Sequence, residues 1–320
     1  MAASKARLSI ILAFLCMTLP VNAEPIRVET RAVLLAPGSP DTRTAGTLRF
    51  LGGLEMASPD GDFGGFSALS ISADGKHMIA LSDAGRRLAA NLIYNEKGDL
   101  SGIANTVLDA LSAPDGTPLR RKRDSDAEAM ALGVEGEIIV AFERDHRLWR
   151  YLPGEIRPRP MASPAELNRL PKNSGIEALT SLNDGALLAI SEGPKGGGDA
   201  IAWISDPRGW SVITYGLADG FRATGAATLP GGDVLVLERR YTLRDGVAAR
   251  VRQLSANSIK AGAHLSGTLI AEIRPPMTAD NFEGIDVRRD ETDRTLVYMI
   301  SDDNFNPLQR NLLMMFELME

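Results

Sequence analysis

One layout recurs five times along this chain, and it restricts the fold more than any other feature, because a repeat of this length stacks copies of one structural unit. The copies run from Phe66-Ser67-Ala68-Leu69 to Ile79-Ala80-Leu81-Ser82-Asp83, and from Ala127-Glu128-Ala129-Met130 to Ile139-Val140-Ala141-Phe142-Glu143. The third joins Ile176-Glu177-Ala178-Leu179 to Leu188-Ala189-Ile190-Ser191-Glu192, and the fourth Thr224-Gly225-Ala226-Ala227 to Leu235-Val236-Leu237-Glu238. The last runs from Phe282-Glu283-Gly284-Ile285 to Val297-Tyr298-Met299-Ile300-Ser301-Asp302. Each copy is a short apolar strand, a turn, and a second apolar strand ending in an acid. The turns carry the expected residues: Asp74-Gly75, Glu135-Gly136, Asp184-Gly185, Gly231-Gly232, and a charged loop from Arg289 to Arg294.

Successive copies start 61, 49, 48 and 58 residues apart. That spacing leaves room for two further strands per unit, the size of a four-stranded propeller blade. The intervening segments supply them, for example Leu92-Ile93-Tyr94 with Thr106-Val107-Leu108, and Ile201 to Ile204 with Trp210 to Ile213. Only one strand, Leu312 to Phe316, follows the last copy, so an N-terminal strand within Thr47 to Met56 must complete that blade. The expected fold is therefore all-β, a single β-propeller of four-stranded blades closed by pairing of the N- and C-terminal strands. Strict counting gives five blades; a sixth, degenerate blade built with Arg27 to Leu35 stays open. A β-sandwich is the competing arrangement, and the matched turns speak against it.

In a hairpin, residues equidistant from the turn face one another. By that arithmetic Glu128 opposes Glu143, Glu177 opposes Glu192, and Glu283 opposes Asp302, while Ser67 faces Asp83 and Gly225 faces Glu238. Three blades then place paired carboxylates on one rim of the channel. Like charges directly opposite across strands are destabilising, so a positive partner is expected. One candidate is a hard divalent cation such as Ca²⁺, which takes six to eight oxygen ligands. Its expected ligands are Asp83, Glu128, Glu143, Glu177, Glu192, Glu238, Glu283 and Asp302. Zinc fits badly, because the only cysteine is Cys16 and the three histidines, His77, His146 and His264, show no ligand spacing. The second candidate is arginine just past the acids: Arg86, Arg144, Arg239 and Arg310, whose forks suit a bound anion. The run Arg120-Arg121-Lys122-Arg123 reads as an exposed loop before a blade, with anion capture the alternative.

Lys5 and Arg7, the apolar run beginning at Leu8, and Val21-Asn22-Ala23 have the order of a cleavable secretory signal over residues 1–23. The expected mature domain is residues 24–320, periplasmic, with no stable membrane insertion. Losing Lys5 and Arg7 moves the formal charge from −6 to −8, which argues against nucleic acid as a partner. The chain reads as a monomer acting on a small anionic molecule. A Gly-x-Ser-x-Gly elbow, a P-loop and a dinucleotide fingerprint are all absent from the sequence.

The sequence resembles the family known for the esterase-like activity of phytase. The likeness rests on Gly64-Gly65-Phe66-Ser67-Ala68-Leu69 with Ala80 to Asp83, on Asp126-Ala127-Glu128-Ala129-Met130, and on Asn173 to Leu179. Leu237 to Arg240, Asn281 to Ile285, and the ending Ser301-Asp302-Asp303-Asn304-Phe305-Asn306 with Gln309-Arg310 strengthen it. The resemblance implies a propeller-like fold and a phosphomonoester or phosphodiester hydrolase activity carried by the recurring acids. Ser67 and Gly225 stand where the family often has an acid. Three functions compete: a Ca²⁺-dependent hydrolase of phosphate esters, with Glu128, Glu177 and Glu283 as catalytic candidates and Glu177 as general base; a Ca²⁺-dependent carboxylic esterase or lactonase; and a non-catalytic envelope propeller.

Overall fold

The computed structural model describes residues 24–194 and 197–319; the expected signal at 1–23 lies outside them. Five sheets form a five-bladed β-propeller. Blade 1 consists of Phe66–Ile71, His77–Ser82, Arg86–Tyr94 and Leu100–Ala110, with Glu24–Pro25 added outside. Blade 2 is Ala127–Leu132, Ile138–Phe142, Arg147–Tyr151 and Arg159–Met161. Blade 3 is Ile176–Ser181, Leu187–Ser191, Ala200–Asp206 and Gly209–Tyr215, extended by His264–Leu265. Blade 4 is Arg222–Thr228, Val234–Thr242, Gly246–Leu254 and Thr268–Ile273. Blade 5 is Phe282–Arg289, Thr295–Ser301, Asn311–Leu318 and Leu48–Ala57.

The N-terminal strand closes the ring as expected, Leu48 pairing with Leu318 and Met56 with Asn311. Glu29–Ala32 adds an edge to blade 5 through Thr30↔Met56, so the Arg27 to Leu35 segment does not make a sixth blade. The second strands Ile138–Phe142 and Leu187–Ser191 are buried along their whole length. They read as continuous apolar runs because neighbouring blades cover both faces. Five hydrophobic clusters fill the five inter-blade spaces; one joins Leu235, Leu237 and Val251 of blade 4 to Val297, Met299 and Phe316 of blade 5. Among the described residues, no helix is long and apolar enough to cross a membrane.

The inner strands pack against one another around the axis, and small residues let them approach. A Cβ on Gly225 would lie 2.7 Å from the Glu283 carbonyl oxygen, and one on Gly284 would lie 2.9 Å from the backbone of Ala68 and Leu69. Alanine or glycine at 68, 129, 178, 225 and 284 is thus a packing requirement of a narrow ring.

Candidate active site

Every inner hairpin is interrupted at the same place. Phe66 pairs with Ser82 and Ala68 with Leu81, leaving Ser67 as the extra residue of a bulge. The same irregularity leaves Glu128, Glu177, Thr224 and Glu283 unpaired in blades 2 to 5. The ladder also runs one step out from the sequence arithmetic: Ala178 pairs with Ile190 and Ile176 with Ser191, so Glu177 and Glu192 are not cross-strand partners. The bulge brings the residue after each second strand level with the residue two before the bulge. Accordingly the amides of Asp83, Glu143, Glu192 and Asp302 donate to the carbonyls of Gly65, Asp126, Gly175 and Asn281.

Blade 4 is displaced in sequence relative to this frame. Its bulge residue is Thr224, not Gly225, and Glu238 pairs with Ala223, so Arg239, paired with Arg222, holds the place of the strand-end acids. Glu238 itself is fully buried. It accepts a 2.6 Å hydrogen bond from the Tyr215 hydroxyl, pairs with the Arg250 guanidinium, and lies 3.8 Å from Arg252. It is a core ion pair and stands apart from the acids at the mouth.

The remaining predicted acids share one field. Burial pushes Glu128 well above the usual carboxylate range, and Asp126, Glu143 and Asp83 add like charge. Glu177 is also pushed well up, by burial first and then by Glu128, Glu143 and Glu283. The Glu143 and Glu177 carboxyls act on each other, the interaction lowering Glu143 and raising Glu177. Glu143 is raised by burial against the opposing effect of that interaction and of the Gly175 amide. Glu283 is raised by burial, though Arg239 and the Asn281 side chain, 2.9 Å away, pull the other way. Asp302 is pushed up to about 8 by burial and then by Glu283. Burial also raises Asp83.

Four cations reach this mouth. Lys122 bridges Asp83 and Asp126, the latter at 2.6 Å, and Arg144 Nε is 2.6 Å from the other Asp126 oxygen. Arg222 lies 2.6 Å from Glu192, and Arg239 lies 2.8 Å from Glu283. Of the other expected arginines, Arg86 pairs with Asp62 in a cleft between blades 1 and 2, and Arg310 binds Asp280 at 3.0 Å. Lys122, placed by sequence in an exposed loop, begins the short helix Lys122–Ser125 and points back to the ring.

Asp83, Asp126 and Glu128 present oxygens that all lie within 4.8 Å of one another. The Asp83 Oδ1 atom is buried and has no hydrogen-bond partner among the described residues. A side chain at Gly65 would place its Cβ 2.4 Å from that oxygen, so glycine keeps the space beside it open. An oxygen-only donor set with an orphaned carboxylate oxygen fits a hard divalent cation better than a soft one.

Sequence reasoning missed Asp126, Lys122, Arg222 and Thr224. Asp126 sits two residues before Glu128, within the same motif but outside the positions that hairpin symmetry pairs. The other omissions trace to the blade 4 offset and to a loop that folds back.

An all-β ring with convergent acids at one mouth is the frame of a hydrolase-like propeller. The sequence matches the phytase-like family, described as esterase-like activity of phytase, over residues 61–305, and the chain belongs to that family. No curated protein matches it. Among solved structures, the chain is similar to an α-L-arabinofuranosidase from Podospora anserina in complex with cellotriose. The two are 14% identical with TM-score 0.50, covering 80% of this chain and 93% of that one. It is also similar to virginiamycin B lyase from Staphylococcus aureus, at 12% identity and TM-score 0.44 over 92% and 100% of the two chains. A third is the Pan2 WD40 domain of Neurospora crassa, at 12% identity and TM-score 0.41 over 81% and 91%. At such identities the likeness is one of fold.

Proposed function

We propose that the protein is a cation-assisted hydrolase of phosphate esters, with Ca²⁺ as the ion, working as a monomer in the periplasm after export. The observation that carries this reading is the Asp83, Asp126 and Glu128 cluster, with its orphaned Asp83 oxygen, inside a ring of raised carboxyls. These three residues would hold the ion. Bound there, it would polarise the ester's oxygen and lower the pKa of a water.

The chain's own groups complete the chemistry. Glu177 is raised by burial and by its carboxylate neighbours Glu128 and Glu143 and lies in the field of Arg239, which suits it to accept or return a proton beside the reacting group. Glu283 orients the Arg239 guanidinium, which favours an anionic ester over a neutral one. The test is an assay of purified protein on aryl phosphate mono- and diesters and on an aryl acetate, with and without chelator. Chelator-sensitive turnover of a phosphate supports the reading. Turnover of the acetate alone favours the carboxylic esterase, and no chelator-sensitive turnover on any of them refutes both.

A further inference from the structure

Blade 4 reverses the sign of the ring. Where blades 1, 2, 3 and 5 carry Asp83, Glu143, Glu192 and Asp302 it has Arg239, and where they carry Gly65, Asp126, Gly175 and Asn281 it has Arg222. The two arginines are direct cross-strand partners, an arrangement that is unfavourable for like charges unless an anion lies between or beside them. Each meets one carboxylate, Glu192 at 2.6 Å and Glu283 at 2.8 Å, and among the described residues no other lies within 4 Å of either. The Arg239 Nε contact is an approach of charges and not an aligned hydrogen bond, so that buried N–H has no hydrogen-bond partner among the described residues. Both occupy the blade whose bulge residue is the neutral Thr224, so blade 4 itself brings no carboxylate to that position to claim them.

We propose that Arg222 and Arg239 form a two-guanidinium receptor for a dianionic phosphoryl group, and thus select phosphate monoesters over diesters. Two adjacent forks match a terminal phosphoryl group carrying two charges and three oxygens. A diester, with one charge and two free oxygens, leaves one fork unmatched. This deepens the phosphate-ester reading and rests on it for the reaction, but the receptor is testable without turnover.

The experiment is calorimetric titration of chelator-treated protein with inorganic phosphate and, as the monoanion, dimethyl phosphate. Wild type should bind inorganic phosphate more tightly than dimethyl phosphate. Arg222→Gln should weaken phosphate binding by about tenfold or more, and Arg222→Lys, which keeps the charge and loses the fork, by less. Glu192→Gln should tighten it, because it frees the Arg222 guanidinium; a purely structural arginine gives no such gain. Absence of phosphate binding by wild type, equal binding of the two anions, or unchanged affinity in Arg222→Gln each overturns the receptor. Ca²⁺ titration of the same samples separates the two readings: Ca²⁺ binding without phosphate binding sinks the receptor alone, and the converse sinks the cation site alone.

Discussion

Asp302 offers a direct measure of what the acidic ring costs. Its carboxyl, 5% exposed, is held at about 8 in the folded protein, against about 3.9 in an unfolded chain. Between those values the folded state binds the extra proton, so stability falls as pH rises. The contribution is fully present below pH 4 and is lost as pH climbs through 8. From pH 5 to pH 8 this one group is expected to cost up to about 4 kcal/mol, three units at about 1.4 kcal/mol each. Asp302→Asn removes the charge and keeps an oxygen that can accept the 2.6 Å bond from the Asn304 amide. Urea unfolding in chelator at pH 5 and pH 8 should show wild type weakening with pH and the variant weakening markedly less. Glu128 and Glu177 act in the same direction, so the variant is not expected to be flat. Saturating Ca²⁺ should reduce the wild-type loss, because a cation held by Asp83, Asp126 and Glu128 offsets the charge that deprotonation leaves there. The reasoning fails if wild type is as stable at pH 8 as at pH 5, or if Asp302→Asn keeps the full slope.

Three further outcomes are expected. Lys122→Met deletes the ammonium that a cation must displace from Asp83 and Asp126, so Ca²⁺ affinity by calorimetry should rise a few-fold, up to about tenfold given the modest worth of part-exposed pairs; weaker binding would make Lys122 a supporting group. Glu177→Gln should lower kcat on an aryl phosphate by roughly 10²- to 10⁴-fold with little change in KM, and a change confined to KM would reassign the residue to substrate binding. Arg250→Met leaves Glu238 buried without its closest cation and should cost about 3–5 kcal/mol in urea unfolding, with no change in Ca²⁺ affinity.

The propeller class and the closing strand were readable from sequence because both depend on periodicity and turn residues, which are local properties, whereas the choice between five and six blades stayed open until Glu29–Ala32 proved to be an edge of blade 5. Hairpin symmetry also placed the acids on one rim, though each predicted pair was one step out of register. That error has a physical source. A bulge adds a residue to one strand without altering its composition, so Ile176-Glu177-Ala178 looks the same whether or not Glu177 is paired. In blade 4 the displacement hid more: Glu238 looked like another strand-end acid, whereas its ladder partner Ala223 turns it toward Arg250 and Tyr215. Lys122 could not be placed by pattern at all, since its reach back to Asp126 depends on the path of the loop between blades 1 and 2.

Where an added cation would sit follows from how the built-in cations are distributed. Blade 4 compensates Glu192 and Glu283 through Arg222 and Arg239, while Lys122 and Arg144 engage Asp83 and Asp126 from the outside. Glu128 and Glu177 have no basic side chain within 4 Å among the described residues, and burial together with neighbouring carboxylates pushes both well above their ordinary range. A proton lifts that repulsion at low pH, but near neutrality it must be lifted otherwise or paid for in stability. The oxygens free to receive a cation border Glu128, where Asp83 Oδ1 lacks a partner. A carboxylate without a cationic partner and a converging set of oxygen donors therefore coincide at Asp83, Asp126 and Glu128, between blades 1 and 2 and across the channel mouth from the guanidinium pair of blade 4.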